Sequence, residues 1–329
     1  MAEQNDVFLQ IDNLVVEYTS GKSTIYAVNG VSLTLKKGKS LGLVGETGAG
    51  KTTIAKSILR ILPNPQGILK EGRILLEGVD LLTLTEEEMR KIRGKEISMV
   101  FQDPMTALNP LMTVGDQIVE VLQLHRQDLS YKQACEEAVN MLETVGIPGE
   151  RFIEYPHQFS GGMKQRVVIA MALVCTPQLI LADEPTTALD VTIQAQVLDL
   201  IKEQQQSLQT SMLLITHDLG VVAEVCDDVA VIYGGKIIEH GSKWDVFTNP
   251  SHPYTKGLFG SIPDMEEDTE RLHPIPGMPA DPSKKREGCS FKPRCEYIVE
   301  ACDNNDIPEY ELESGHFCQC HNPIQGANL

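Results

Sequence analysis

The sequence predicts an α/β fold with an antiparallel β subdomain and an inserted helical subdomain, and three observations support this prediction. Residues 7–35 alternate apolar and polar side chains, which is typical of antiparallel strands with one solvated face. Four short apolar runs, which start at residues 40, 97, 179 and 212, indicate buried strands, and the last three of them end in polar residues. From about residue 104 to 165 the apolar residues follow helical spacing, which indicates helices inserted into the sheet domain.

Composition and charge limit the classes of protein that this chain can be. It has 329 residues, of which 42% are apolar, enough for one large or two ordinary domains. The formal net charge of −18 argues against a general nucleic-acid binder, which would need a basic face. The first residues lack the basic start and apolar core of a signal peptide, and the longest uncharged apolar run, 167–175, is about half a membrane crossing. We therefore expect a cytoplasmic protein, with other chains doing any membrane crossing.

A glycine-rich loop follows the first buried strand, 40–44, and precedes an apolar helix at 53–62. Residues 45–52 match G-x-x-x-x-G-K-[ST], and strand, glycine loop and helix form the context in which this pattern binds phosphate. The glycines let backbone N–H groups point at a polyphosphate at the start of a helix. Lys51 would contact the β- and γ-phosphates, and the Thr52 hydroxyl would hold Mg²⁺. The predicted nucleotide-binding residues of this segment are Gly45, Glu46, Thr47, Gly48, Ala49, Gly50, Lys51, Thr52 and Thr53.

Two tyrosines could stack on the adenine ring of a bound nucleotide. Tyr18 precedes the turn at 19–22 and is the first candidate, although an edge-strand aromatic that covers the sheet fits it nearly as well. Tyr26, in the next predicted strand, is the alternative.

Polar residues end the other buried strands. In open α/β sheets ligands bind beyond the carboxyl ends of strands, so Gln102, Asp183, Glu184 and His217 should converge on one edge. Asp183 stands where a P-loop enzyme places its Mg²⁺ partner, and Glu184 beside it could activate water.

A second glycine motif opens a helix at residue 161. Ser160 is a natural helix N-cap, and Gly161 and Gly162 leave the helix N-terminus bare for an anion.

Taken together, these motifs resemble those of the ATPase subunit of an ABC transporter. They are the loop at 45–52, the segment 160–165, the pair 183–184, the loop containing Asp190, and His217, in the family's order and at similar separations. The resemblance covers residues 7 to about 250, and we expect an ATPase domain over 1–250 with the helical subdomain inserted.

The resemblance also implies roles for individual residues. Gln102 would contact Mg²⁺, together with Thr52 and Asp183, and sense the membrane partner. Glu184 would polarise the attacking water, and His217 would hold the γ-phosphate. The remaining nucleotide contacts that the resemblance implies are Ser160, Gly161, Gly162, Gln165 and Asp190. Because Ser160 and Gly162 would close over the ATP of an opposing subunit, two such domains must pair head to tail.

The C-terminal part resembles the extension of oligopeptide and dipeptide permease ATPases. The resemblance lies in 249–258 with 261–263, and in 288–295, so 251–329 is expected to form this extension. Such ATPases usually work as a heterodimer with a sister ATPase, beneath two membrane permease subunits, on substrate from an extracellular binding protein. This implies a peripheral protein on the cytoplasmic face of the cell membrane that powers peptide import. A nickel-complex importer is the alternative; an exporter ATPase, or a non-transport ABC ATPase of translation or DNA repair, fits less well.

Five of the eight cysteines lie in this extension and predict a metal site. Four of them are separated by five, six and seventeen residues, which favours a structural [4Fe–4S] cluster, with Zn²⁺ as the alternative. The tail has few large apolar residues, so a metal would fix its shape. The predicted ligands are Cys289, Cys295, Cys302 and Cys320, with Cys318 as the alternative fourth ligand.

Overall fold

The structure is a computed structural model of the chain. It describes residues 6–21, 23–186, 191–261, 275–285, 287–313 and 315–324, without the side chains of residues 104, 105, 191–193 and 313. The chain divides into two compact units. The P-loop unit comprises residues 1–35, 41–82 and 216–329, and the helical unit comprises 36–40 and 83–215.

The secondary-structure elements are numbered in chain order. The strands are β1 (Val7–Ser20), β2 (Ser23–Lys36), β3 (Ser40–Val44), β4 (Gly67–Leu76), β5 (Val79–Asp80), β6 (Ile97–Val100), β7 (Leu179–Asp183), β8 (Ser211–Thr216), β9 (Asp228–Tyr233), β10 (Lys236–Ser242), β11 (Glu309–Glu313) and β12 (His316–Gln319). The α-helices are α1 (Lys51–Ile58), α2 (Glu86–Ile92), α3 (Pro104–Ala107), α4 (Val114–His125), α5 (Tyr131–Thr144), α6 (Gly161–Leu173), α7 (Val191–Leu208), α8 (Leu219–Val225), α9 (Lys243–Thr248) and α10 (Pro253–Phe259). Short 3₁₀ helices span Gly149–Ile153, Pro156–Gln158, Lys292–Arg294 and Glu300–Asp303.

An antiparallel sheet in the order β2-β1-β4-β5 forms one part of the P-loop unit. Leu9 and Ile11 on β1 are buried, and the irregularity that follows, where Asn13 has a φ of 46°, changes the phase of the alternation. Leu14 and Val16 therefore face the core as well. One buried face and one solvated face explain the alternating pattern of residues 7–35.

The C-terminal residues of the P-loop unit extend a second group of strands. Strand β3 pairs in parallel with β9, and β9 pairs with β10 in antiparallel fashion. The hairpin of β11 and β12 adds to β10, where Glu239 lies opposite Cys318. The extension is thus partly a β-hairpin that continues a sheet of the P-loop unit.

The helical unit carries three parallel strands, with β7 between β6 and β8. All residues of these strands are buried, as expected for a sheet covered on both faces. Side chains of Thr113, Ser130 and Ser160 cap the N-termini of α4, α5 and α6. In the described part of the chain, the helices lack the length and apolar character that a membrane crossing requires.

Candidate functional site

The loop at residues 45–50 connects β3 to α1 and depends on its glycines. Gly48 and Gly50 have φ values of 82° and 105°, which side chains rarely allow. A Cβ atom on Gly45 would lie 2.2 Å from the carbonyl oxygen of Ile232, and one on Gly50 would lie 2.3 Å from that of Ala27. The backbone is therefore packed tightly against its neighbours, and larger residues would push the loop out of shape.

The start of α1 is suited to bind an anion. Among the described residues no side chain caps this helix, and its first turn carries no acidic residue. The Lys51 side chain is buried, and its Nζ donates hydrogen bonds to the carbonyl oxygens of Gly45 at 2.5 Å and Glu46 at 3.1 Å. The Lys51 side chain thus folds back over the loop, and its charge lies near the backbone N–H groups at the start of α1. These features fit a triphosphate, because the helix dipole and the lysine both favour negative charge there.

The two candidate tyrosines lie in different places of the P-loop unit. The Tyr18 hydroxyl is 3.2 Å from Oγ1 of Thr53, on the helix that follows the loop. Tyr26 lines a groove of about 1190 Å³ that also borders residues 46–49. Tyr18 stays the prediction for adenine stacking, with Tyr26 as its alternative.

Glu46 is held on two sides by residues that the sequence analysis did not select. Its carboxylate receives hydrogen bonds from Nη1 and Nη2 of Arg294 at 2.7 and 2.9 Å, and its backbone N–H donates to the Tyr254 hydroxyl at 3.0 Å. A glutamate inside a phosphate-binding loop requires a nearby cation, and this requirement could have directed attention to Arg294.

Two of the polar strand ends meet within the helical unit. Nε2 of Gln102, beyond β6, donates to Oε2 of Glu184, beyond β7, at 2.8 Å. Asp183 is buried at the end of β7. The backbone N–H of Glu184 donates to the carbonyl oxygen of Ile215 at 2.8 Å, and Glu184 has a φ of 46°. His217 is exposed directly after β8.

The second glycine motif begins α6. Oγ of Ser160 accepts a hydrogen bond from the backbone N–H of Met163 at 3.4 Å, and both Ser160 and Gly161 are exposed. Gln165 is buried, and its Nε2 donates to the carbonyl oxygen of Pro185 at 2.6 Å. Its Oε1 is buried and has no hydrogen-bond partner among the described residues. The Gln165 side chain therefore positions the backbone after Glu184. Asp190, the other predicted nucleotide contact near this segment, lies outside the described residues.

The prediction of an iron–sulfur cluster is wrong. All eight cysteines are free thiols. In the described residues, which include all five cysteines of the extension, no group of three or more His, Cys, Asp or Glu could hold a metal ion. The same finding leaves Zn²⁺ without support. The four cysteines concerned are Cys289, Cys295, Cys302 and Cys320.

Burial raises the pKa of several thiols in the extension. It raises the pKa of Cys289 and Cys295, and it raises the pKa of Cys320 to about 11, with smaller contributions from neighbouring thiols. Burial also raises the pKa of Cys318, which lies on β12. The hairpin of β11 and β12 and the Arg294–Glu46 ion pair connect the extension to the rest of the P-loop unit.

A glycine loop at a helix N-terminus and a carboxylate pair at a buried strand end define a P-loop ATPase. The ABC transporter family profile matches residues 28–187, and that of the oligopeptide/dipeptide transporter C-terminal region matches residues 238–302. The chain belongs to the ABC transporter family.

Relatives and solved structures agree with this assignment. The dipeptide transport ATP-binding protein DppD of Bacillus subtilis is 53% identical over 297 residues, which cover 90% of this chain and 88% of DppD. The oligopeptide transport ATP-binding protein OppD of Salmonella typhimurium is 44% identical, with 97% of this chain and 95% of OppD covered. The dimeric ATP-binding cassette MJ0796, bound to ADP and Pi, matches with a TM-score of 0.65 and 28% identity, over 71% of this chain and 98% of MJ0796.

Proposed function

We propose that this chain is the ATP-hydrolysing subunit of an ABC importer for dipeptides or oligopeptides. The observation that carries the proposal is the combination, in one chain, of a P-loop ATPase with the C-terminal region of oligopeptide/dipeptide transporters. The relatives named as dipeptide and oligopeptide transport proteins align with this chain over most of its length, which supports the same activity here.

The proposed ATP hydrolysis depends on side chains of the phosphate loop, the start of α1 and the polar strand ends. Lys51 and the N–H groups at the start of α1 would bind the phosphates of ATP. The family resemblance assigns Mg²⁺ to Thr52, Gln102 and Asp183, and this ion would neutralise the phosphate charge during transfer. Glu184 would polarise the attacking water, and the hydrogen bond from Gln102 orients its carboxylate.

The proposed function also requires partner proteins. Ser160 and Gly161 are exposed at the start of α6, where they are available to the ATP of a second ATPase subunit. Pairing with a second subunit is supported by the dimeric solved structures of the related cassette MJ0796. We infer a sister ATPase, two membrane permease subunits and a peripheral position at the cytoplasmic face of the membrane.

Reconstitution tests the proposal. The chain should be co-purified with its permease subunits, placed in lipid vesicles with the binding protein, and supplied with radiolabelled dipeptides, longer peptides or a nickel complex. We expect ATP-dependent uptake of peptides, which is lost when Glu184→Gln replaces the wild-type chain. Uptake of the nickel complex alone, or transport in the outward direction, would contradict it.

A further inference from the structure

Glu46 brings a negative charge into the phosphate-binding loop. It lies within the loop that must attract a triphosphate, where a carboxylate repels the ligand's negative charges. In the structure its side chain is only 26% exposed, so water alone does not screen this charge. A partner that neutralises Glu46 would remove an obstacle to ATP binding.

Arg294 supplies the opposite charge from a point 248 residues further along the chain. It ends the 3₁₀ helix Lys292–Arg294, and its side chain is 4% exposed. The two parallel hydrogen bonds to Glu46 form the strong bidentate geometry that arginine makes with carboxylates.

Other contacts fix the guanidinium of Arg294. Its Nε donates to the carbonyl oxygen of Pro276 at 2.9 Å, Nη2 to that of Ile275 at 3.3 Å, and Nη1 to the Tyr233 hydroxyl at 3.3 Å. Because its donors are all occupied, the group cannot turn away from Glu46 without losing several hydrogen bonds. Glu46 in turn raises the pKa of Arg294, so the guanidinium stays charged.

Tyr254 holds the backbone of the same residue. It lies in the first turn of α10 and is fully buried, with its ring centroid 4.6 Å from that of Tyr233 and 5.4 Å from that of Phe291. Its hydroxyl accepts the backbone N–H of Glu46, which orients the peptide unit at the start of the phosphate loop.

We propose that Arg294 and Tyr254 are positioning residues of the ATP site, through which the C-terminal extension holds the phosphate loop in its binding shape. Arg294 neutralises and anchors the Glu46 carboxylate, and Tyr254 anchors the Glu46 backbone. The proposal rests on the ATPase part of the proposed function and is independent of the cargo, so failure of peptide import in reconstituted vesicles would leave it standing.

The test is a double-mutant cycle on residues 46 and 294 of the full-length chain. The Kd of MgADP, from titration calorimetry, and the KM of MgATP are measured for each variant. Arg294→Gln leaves Glu46 as an unpaired carboxylate beside the phosphates, so we expect affinity to fall about tenfold or more. Glu46→Gln should keep affinity within about threefold of wild type, because a neutral residue repels no phosphate and its amide oxygen can still accept one anchoring hydrogen bond from Arg294. The double variant should recover most of the loss, with kcat changed less than KM.

Lys292→Gln is the matched control, because it removes a half-buried cation two residues away that pairs with Asp303. Its affinity should equal that of the wild type. Tyr254→Phe keeps the packed ring and removes one hydrogen bond, so a twofold to tenfold loss of affinity at unchanged Tm is expected.

Three results would overturn the proposal. One is an Arg294→Gln chain with wild-type affinity and wild-type Tm. Another is a double variant as weak as Arg294→Gln alone, and the third is a Glu46→Gln chain weakened as much as Arg294→Gln. If Arg294→Gln does not fold, two other results decide the matter: wild-type affinity of Tyr254→Phe, or a loss of more than about tenfold in Glu46→Gln, would overturn the proposal.

Discussion

Glu184 carries the clearest backbone strain beside the proposed chemistry. A φ of 46° at a residue with a side chain costs about 1–3 kcal/mol, so it persists only where neighbouring residues enforce it. The hydrogen bonds to Ile215 and from Gln102 do so here, and they hold the carboxylate at the end of β7. A strained but well-held acid is suited to orient a water molecule, because it loses little freedom when the reaction begins.

Glu184→Gln should abolish ATP hydrolysis and leave nucleotide binding intact. The amide keeps the size of the side chain and can still accept the Gln102 hydrogen bond, but it no longer polarises water. Loss of such a base costs about 10²- to 10⁴-fold in rate. The measurement is steady-state phosphate release together with calorimetric binding of MgADP.

Glu120→Gln, a change at an exposed carboxylate on α4, is the control and should leave turnover unchanged. Turnover of Glu184→Gln within threefold of wild type would place the base elsewhere, with His217 as the next candidate.

At the scale of elements, one buried carboxylate joins β10, α10 and β12. Glu239 is 1% exposed and accepts hydrogen bonds from the backbone N–H groups of Ser251 at 2.7 Å and His252 at 2.9 Å. Nε2 of His316 lies 2.9 Å from the same carboxylate. Because α10 carries Tyr254, this junction also sets where the hydroxyl that holds Glu46 lies.

The N-cap of α10 makes this junction sensitive to acid. Nδ1 of His252 accepts the backbone N–H of Tyr254 at 3.0 Å, so the ring must be neutral at that nitrogen. Burial lowers the pKa of His252 from 6.5 to about 4, with a smaller opposing effect of Glu239. Between these values the unfolded chain binds a proton that the folded chain does not, so stability falls as the pH drops from 6.5 to 4.

His252→Asn should remove this part of the pH dependence. Asparagine caps helices well and does not titrate in this range. We expect the free energy of unfolding of the wild type to fall by up to about 3 kcal/mol more than that of the variant between pH 6.5 and 4. Urea unfolding at both pH values measures the difference.

His157→Asn, at an exposed histidine, should retain the wild-type pH profile. Equal losses in wild type and His252→Asn would show that the cap is not the titrating element.

At the scale of the whole molecule, the start of α6 is an exposed surface, and the proposed second subunit would contact it. Among the described residues no heavy atom lies within 4 Å of the position that a Cβ on Gly161 would occupy, and its backbone is not in the left-handed region. A side chain there therefore costs the isolated chain little. In a head-to-tail dimer the same side chain would meet the ATP held by the partner.

Gly161→Asp should impair assembly with the partner subunits without affecting the folding of the chain. We expect an unchanged Tm and unchanged MgADP affinity, but loss of the ATPase stimulation that the sister ATPase and permease subunits produce. The reason is that a carboxylate would meet the partner's phosphates. Specific activity against protein concentration, with and without the partners, gives the measurement.

Ser207→Asp, an added charge on the exposed face of α7, is the control and should keep the stimulation. Full activity of the wild-type chain as a monomer at high dilution would refute a shared site.

Features that depend on neighbouring residues or on strand direction could be predicted from the sequence. The phosphate loop is a local pattern of glycines and a lysine, and the structure places it between β3 and α1. The contact of Gln102 with Glu184 follows from a general rule, since the carboxyl ends of parallel strands share an edge. Membership in the ABC transporter family rests on such motifs.

The contacts of the C-terminal extension could be determined only from the tertiary structure. The spacing of Cys289 and Cys320 suggested a metal, but spacing does not show how these thiols pack, and packing raises the pKa of both. The pairing of Arg294 with Glu46 spans 248 residues, so no local pattern contains it. Long-range ion pairs form because folding brings distant charges together and removes water from them. Which charges meet depends on the packing of the whole chain.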